Sequence, residues 1–238
     1  GYCAIPLIRG RHRSAPMEEL LTEAQKLAAK GVKELIVIAQ DTTYYGLDLY
    51  GSRQLGPLLR KLCKIDGIEW IRLHYAYPAH FPDDVIEAVR DEPKICKYLD
   101  IPFQHISDRQ LKSMRRGVTK EQVYDLIEKL RTEIPDIALR TTLLTGYPGE
   151  SEEDFAELLE FVEKVRFERL GVFPYSEEEG TYSAEQLDDD VPDEVKQQRA
   201  DTLMELQNRI SAENNRLRIG NCERIIIDRR EDSFLIGR

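Results

Sequence analysis

The sequence predicts an α/β fold: a partial TIM-like barrel of six strand–helix units, (βα)6, followed by the start of a small β domain. Three observations carry this. Extended and helical segments alternate along most of the chain, the pattern of a parallel sheet wrapped by helices. The strand Glu34-Leu35-Ile36-Val37-Ile38-Ala39 is a continuous apolar run, which suits a strand buried on both faces. Every predicted strand also empties into a polar and aromatic cluster, and in barrels of parallel strands the reactive positions lie at those carboxyl ends.

In chain order, Leu20, Leu21, Ala24, Leu27 and Ala28 recur at helical spacing over Met17–Lys30, and Gly31 stops that helix. The strand Glu34–Ala39 follows, then a helix over Leu55–Ile65 and a strand over Glu69–His74. A short helix over Pro82–Arg90 has Pro and acids in its first turn. The strand Lys97–Ile101 leads to a helix with a capping-box pattern, Ser107-x-x-Gln110. The same pattern, Thr119-x-x-Gln122, opens a helix ending near Glu133. The strand Ile137–Leu144 precedes a helix capped by Ser151-x-x-Asp154 and running through Lys164. A last strand, Arg169–Pro174, precedes a long helix, Asp193–Arg218, with Leu203, Leu206 and Ile210 on one face. Beyond Gly220 the character changes: Asn221–Ile227 reads as a strand, Asp228–Asp232 as a turn and Phe234-Leu235-Ile236 as a second strand. Residues 1–219 thus form the barrel core and 220–238 begin a small β domain. Five strands are visible, so a first strand is expected before Cys3, and the absence of an initial Met suggests a piece of a longer protein.

The composition, 41% hydrophobic and 33% charged, is that of a globular domain with a real core. No run has the length of a membrane span and no signal peptide opens the chain, so no membrane partner is expected. Cys3, Cys63, Cys96 and Cys222 are too widely spaced for a disulfide framework, which points to a reducing, cytoplasmic setting. Cys63, Cys96 and Cys222 have no Cys or His at metal-ligand spacing and read as structural. A net charge of −10 disfavours RNA as a partner of the core. The charge is uneven: Arg9, Arg11, His12 and Arg13 form a basic strip, while Glu177–Glu194 holds nine acids and no Lys or Arg. That acidic run suits either a basic protein partner or a solvated loop and helix start.

The strand ends carry Gln40-Asp41, then His74-Tyr75-Ala76-Tyr77, then Gln104-His105 after Pro102, then Gly146-Tyr147-Pro148-Gly149-Glu150, then Tyr175-Ser176. Donors and acceptors converging on one rim are what a cofactor pocket needs. Gln40 and Asp41 could instead cap the next segment, and His74 and His105 could be satisfied rim histidines. Gly146-x-x-Gly149 is not a P-loop, because Pro148 removes an amide and no Lys-Ser/Thr follows. It reads as a tight turn that lets a ligand approach the backbone. Cys3 alone could be a free thiol or the last thiolate of a C-x3-C-x2-C motif holding a 4Fe–4S cluster with one iron left open.

Together, Cys3-x-Ile5-Pro6-x-x-Arg9-Gly10-x-x-Arg13-Ser14, Gln104, Gly146-Tyr147-Pro148-Gly149-Glu150 and Tyr175-Ser176-x-x-x-Gly180-Thr181 resemble the radical SAM methylthiotransferases, in family order across essentially the whole chain. The resemblance implies a radical SAM type of barrel with a TRAM domain beginning near residue 220. It implies S-adenosylmethionine (SAM) and two 4Fe–4S clusters in the full-length enzyme, the second held by three cysteines without counterpart here, and an electron donor protein. Ala39-Gln40-Asp41-Thr42-Thr43, Gly46-Leu47-Asp48-Leu49-Tyr50, Gln104-His105 and the Glu177–Glu179 loop look like the branch that modifies a small-subunit ribosomal protein. The other branch acts on a tRNA adenosine. The implied reaction removes a hydrogen from an aspartate β-carbon and joins a methylthio group there. Carried over residue by residue, Cys3 is the cluster ligand and Tyr2 meets the adenine through its backbone. Gln40, Gln104, Arg140 and Gly146 are expected to contact SAM, though Arg140 could equally be a paired rim charge. Tyr175, Glu178 and Glu179 are expected to face the basic, aspartate-bearing loop of the substrate.

Overall fold

A computed structural model describes residues 1–237. Its elements are α1 (Ile5–Arg9), α2 (Met17–Ala29), β1 (Glu34–Val37), α3 (Leu47–Tyr50), α4 (Leu55–Leu62), β2 (Trp70–Leu73), α5 (Asp83–Asp91), β3 (Ile95–Asp100), α6 (Asp108–Ser113), α7 (Lys120–Glu133), β4 (Ala138–Thr145), α8 (Glu152–Val165), β5 (Arg169–Pro174), α9 (Tyr182–Gln186), α10 (Asp193–Leu217), β6 (Ile227–Glu231) and β7 (Phe234–Gly237). Strands β1 to β5 form one parallel sheet in the order of the chain. Each strand is joined to its neighbour through helix on the same side, so the sheet is a sector of a barrel rather than a doubly wound layer.

The helix-facing side of the sheet holds the core. Ile71, Leu73, Leu99, Leu139 and Leu143 pack with Leu59, Val85, Val89, Leu130, Phe161 and Leu203. Burying each such side chain stabilises the fold by about 1.5–3 kcal/mol. Helix α10 lies along β4, β5 and α8, and α5 packs on β3 and α4. The Thr119–Gln122 and Ser151–Asp154 capping boxes both form, so α7 and α8 start where the sequence places them.

Four expectations change. The Glu34–Ala39 run is not buried on both faces: β1 is an edge strand, and Ile36 and Ile38 are 50% and 61% exposed, because β2 covers only one edge and the inner face is open. The Ser107–Gln110 box does not form. Ser107 Oγ donates to Asp154 Oδ1 at 2.5 Å instead, and the Gln110 side-chain oxygen is buried without a partner. The terminal hairpin is shifted along the chain: Glu231 pairs with Phe234 across a two-residue turn in which Asp232 takes a φ of 51°, so 228–231 is strand. Arg238, the last residue of the expected β domain, lies outside the described residues. Cys96 sits within β3, and Cys222 is exposed in an irregular segment rather than structural, while Cys63 is buried as expected. No helix among the described residues is long and apolar enough to cross a membrane.

Candidate functional site

The carboxyl ends of the strands form a mouth held from below by buried polar bonds. At its centre is Glu150, whose side chain is fully shielded. Its Oε2 accepts from the Gly146 amide at 2.6 Å and from Arg199 Nη1 at 2.7 Å, and its Oε1 lies 3.0 Å from His105 Nε2. His105 Nδ1 accepts from the amides of Ile106 and Ser107. The ring therefore carries its proton on Nε2 and donates it to Glu150. Next to this, Asp154 accepts from Ser107, Ser151 and Arg109. Burial alone would raise the Asp154 carboxyl, but these hydrogen bonds outweigh it and hold it well below the usual carboxylate range. The loops after β3 and β4 are thus tied to each other and to α10.

Above this frame lie the residues that the sequence singles out. Tyr2 is half-buried and meets the Tyr147 ring edge-on at 6.2 Å, which places the segment bearing Cys3 beside the turn after β4. Cys3 is exposed. Gln40 is exposed after β1, and Gln104 stands half-buried after β3 with a φ of 73°. Tyr75, after β2, has a φ of 56°. Two non-glycine residues in left-handed conformation at adjacent strand ends store strain where a ligand would be held. Glu178 and Glu179 are exposed in the loop after β5.

Gly146 and Tyr175 stand differently from expectation, while Arg140 takes the second of its two readings, a paired charge. Gly146 does make a tight turn (φ 69°), but Lys196 occupies the approach: an added Cβ would meet its Cγ at 2.0 Å. The Gly146 amide is also spent on Glu150. Tyr175 is 4% exposed and packs on Tyr147, with ring centroids 5.3 Å apart, so it supports the mouth from inside rather than facing a substrate. Its hydroxyl is buried without a hydrogen-bond partner. Arg140 lies on the inner face of the sheet below the mouth and pairs with Asp100, Nη1 to Oδ1 at 2.7 Å.

Arg140 belongs to a charged layer that sequence reading missed. On the inner face Glu34 pairs with Arg72 at 2.7 Å, and the Arg72 guanidinium lies 5.0 Å over the Tyr98 ring. The His74 ring packs on Tyr98, and its Nδ1 is 3.5 Å from Asp100 Oδ2. Burial lowers the His74 pKa, with Arg140 and Arg72 pushing the same way and Asp100 opposing them, so the ring is neutral at neutral pH. Burial and the Asp100 carboxylate both push the Tyr98 hydroxyl up. The signal for this layer was present: Arg72 and His74, Tyr98 and Asp100, Arg140 and Thr142 are polar at every second position within otherwise apolar strands.

For a cluster, the described residues offer one suitable donor, the exposed Cys3 thiol, and no group of three or more metal-ligating side chains. For SAM the fit is fuller. Gln40 and Gln104 carry side-chain amides with no hydrogen bond, and the strained backbone at Tyr75 and Gln104 borders the same mouth.

A parallel barrel sector with a polar mouth over a charged lumen defines a cofactor-binding α/β core, and comparison with known proteins makes the class specific. The chain matches the model of the radical SAM superfamily over residues 1–162 and belongs to that superfamily, whose chemistry runs on SAM and a 4Fe–4S cluster. Over 237 residues it is 60% identical to a protein of Christiangramia forsetii named ribosomal protein uS12 methylthiotransferase RimO, covering all of this chain and 52% of that one. Proteins of the same name from Bacteroides thetaiotaomicron and Porphyromonas gingivalis are 57% and 56% identical, with 54% and 55% of their length covered. The chain therefore spans about half the length of the curated relatives it matches. Among solved structures it superposes on the radical SAM enzyme coproporphyrinogen III oxidase (HemN) of Escherichia coli with a TM-score of 0.61, at 18% identity over 81% of this chain and 46% of that one. The radical SAM methyltransferase TsrM of Kitasatospora setae gives 0.54 at 18% identity, over 67% and 31%. These two likenesses show the shared barrel.

Proposed function

We propose that this chain carries the radical SAM core of an enzyme that methylthiolates an aspartate β-carbon in ribosomal protein uS12. The observation that carries the reading is 60% identity, along the whole chain, to a protein named for uS12 methylthiotransfer. The mouth supports it electrostatically. Of the acids between β5 and the first turn of α10, Asp189 and Asp193 are spent on Lys196 and Asp190 accepts from the Gly149 amide, but Glu177, Glu178 and Glu179 are exposed and make no ion pair among the described residues. Such a rim attracts a basic ribosomal-protein loop and repels an RNA backbone.

In this reading SAM and the cluster supply the one-electron chemistry, and the chain supplies binding and orientation. Cys3 is one thiolate of the SAM-binding cluster, and a second cluster belongs to cysteines outside these residues. Tyr2, Gln40 and Gln104 hold SAM, and the Gly146 turn, with Lys196 over it and its amide on Glu150, frames the mouth from behind rather than touching the ligand. Glu178 and Glu179 meet the substrate loop, and residues 220–238 begin a TRAM domain. The enzyme works in the cytoplasm and takes electrons from a donor protein.

The test is anaerobic reconstitution of the full-length protein containing this segment, followed by incubation with uS12 and, separately, with tRNA. Mass spectrometry should find one methylthio group on a single aspartate of uS12. A methylthio group on a tRNA adenosine with none on uS12 would transfer the assignment to the other branch. Cys3→Ala should lose the iron and visible absorbance of one cluster, and unchanged iron content would remove Cys3 from the ligand set.

A further inference from the structure

The inner face of a closed parallel barrel is filled by bulky apolar side chains. Here the middle of that face is ionic. Asp100 is 1% exposed, yet it is a carboxylate with one oxygen on Arg140 and the other, Oδ2, buried without a hydrogen bond. His74 Nδ1 lies 3.5 Å from Oδ2 without forming a hydrogen bond to it. Arg140 spends only Nη1, and its side chain remains 35% exposed to the lumen. A guanidinium fixed along one edge presents its remaining N–H groups in a set plane, the arrangement that receives a carboxylate through two parallel bonds. The charge balance agrees. Arg72 is matched by Glu34 and Arg140 by Asp100, but Arg169, the register partner of Arg140 on β5, bonds to the Glu168 carbonyl and has no acidic partner among the described residues.

We propose that Arg140, oriented by Asp100 and flanked by His74, is the specificity site that binds the side-chain carboxylate of the target aspartate. The inference rests on the reading of the protein as a uS12-modifying enzyme. SAM also carries a carboxylate, so the chemistry alone fits either source, and depth in the barrel decides between them. Gln104 bridges to Leu143 on β4, so Arg140 stands three residues of extended chain below it, roughly 10 Å along the strand at about 3.3 Å per residue. The residues proposed for SAM lie at the mouth, whereas a side chain presented beneath SAM reaches down toward Arg140. Arg140 acts here by binding and orientation alone, and no bond is made or broken by it.

The experiment uses the full-length protein and two synthetic basic peptides that copy the substrate loop, one with the aspartate and one with asparagine in its place. Calorimetry should show the wild type preferring the aspartate peptide by about tenfold or more, the worth of a charged bidentate pair. Arg140→Gln should erase that preference while SAM affinity stays within about twofold. Arg140→Lys, which keeps the charge but not the fork, should retain part of it and covers the case in which the glutamine variant fails to fold. Preference retained in both variants overturns the proposal. So does a loss of SAM affinity with the preference intact, which would give the site to the SAM carboxylate. A wild type that prefers the aspartate peptide yet leaves uS12 unmodified refutes the functional reading and supports the carboxylate site; a wild type that modifies uS12 without preferring the aspartate peptide does the reverse.

Discussion

Arg199 Nη1 and Glu150 Oε2 lie 2.7 Å apart with both side chains almost wholly shielded from water. This bond fastens the turn after β4 to the long helix α10, and the same arginine reaches out to Glu152 at 2.6 Å, whose side chain is 80% exposed. Removing one partner of a buried pair leaves the other charged and uncompensated, whereas an exposed partner is replaced by water. Arg199→Ala should therefore cost about 3–5 kcal/mol in urea unfolding. Glu152→Ala should cost less than about 1 kcal/mol. Equal losses would show that Glu150 is not the buried partner that matters.

Gly146 offers a second test, because conformation and space act together there. An alanine must adopt φ 69° and also displace the Lys196 stem, whereas at Gly31, with φ 87°, nothing lies within 4 Å of an added Cβ. Gly31→Ala should cost about 1–2 kcal/mol from the left-handed backbone alone. Gly146→Ala should cost roughly twice that, since a buried clash is added. Thermal melts of the two variants provide the comparison.

The depressed Asp154 carboxyl predicts a pH dependence. A group whose folded pKa lies below its unfolded value stabilises the fold above the unfolded pKa, about 3.9 for Asp. That contribution is lost as pH falls toward the folded value, which lies well below it. Between about pH 5 and pH 3 the wild type should lose denaturant resistance more steeply than Asp154→Asn, in which the titrating group is gone. Parallel curves would mean that Ser107, Ser151 and Arg109 do not hold the ionised form.

Thiol reactivity separates the cysteines by environment. Burial pushes the Cys63 thiol up to about 11, while Cys3 and Cys222 are exposed. Thiolate is the reacting form, so at pH 8 a disulfide reagent should modify Cys3 and Cys222 first in cluster-free protein and reach Cys63 only on unfolding. Rapid native labelling of Cys63 would contradict its burial at the C-terminal end of α4.

Much of the barrel was legible because its signals are local. Gly31 ends α2, and the caps at Thr119 and Ser151 start α7 and α8, since each depends on residues within one turn. The errors came where a partner distant in sequence competes for the same group. Ser107 has the residue spacing of a capping box, but Asp154, forty-seven positions on, takes its hydroxyl. The β1 run reads as doubly buried because apolar strands look alike at an edge and in the centre. Tyr175 sits in a functional motif, yet its ring is turned under the mouth by Tyr147.

What the sequence determined by itself was the order of the strand–helix units, the motifs at the strand ends and the superfamily they belong to, because periodicity, capping and short motifs are written in contiguous residues. What only the tertiary structure decided was which of those residues are free to meet a ligand. Glu150, Lys196 and Arg199 occupy groups that a linear reading leaves open, and Arg140 comes to face the lumen beside Asp100 through strand register. Register is set by packing across the sheet, and a pairing made between strands leaves only the period-two pattern, not the partner, in the chain itself.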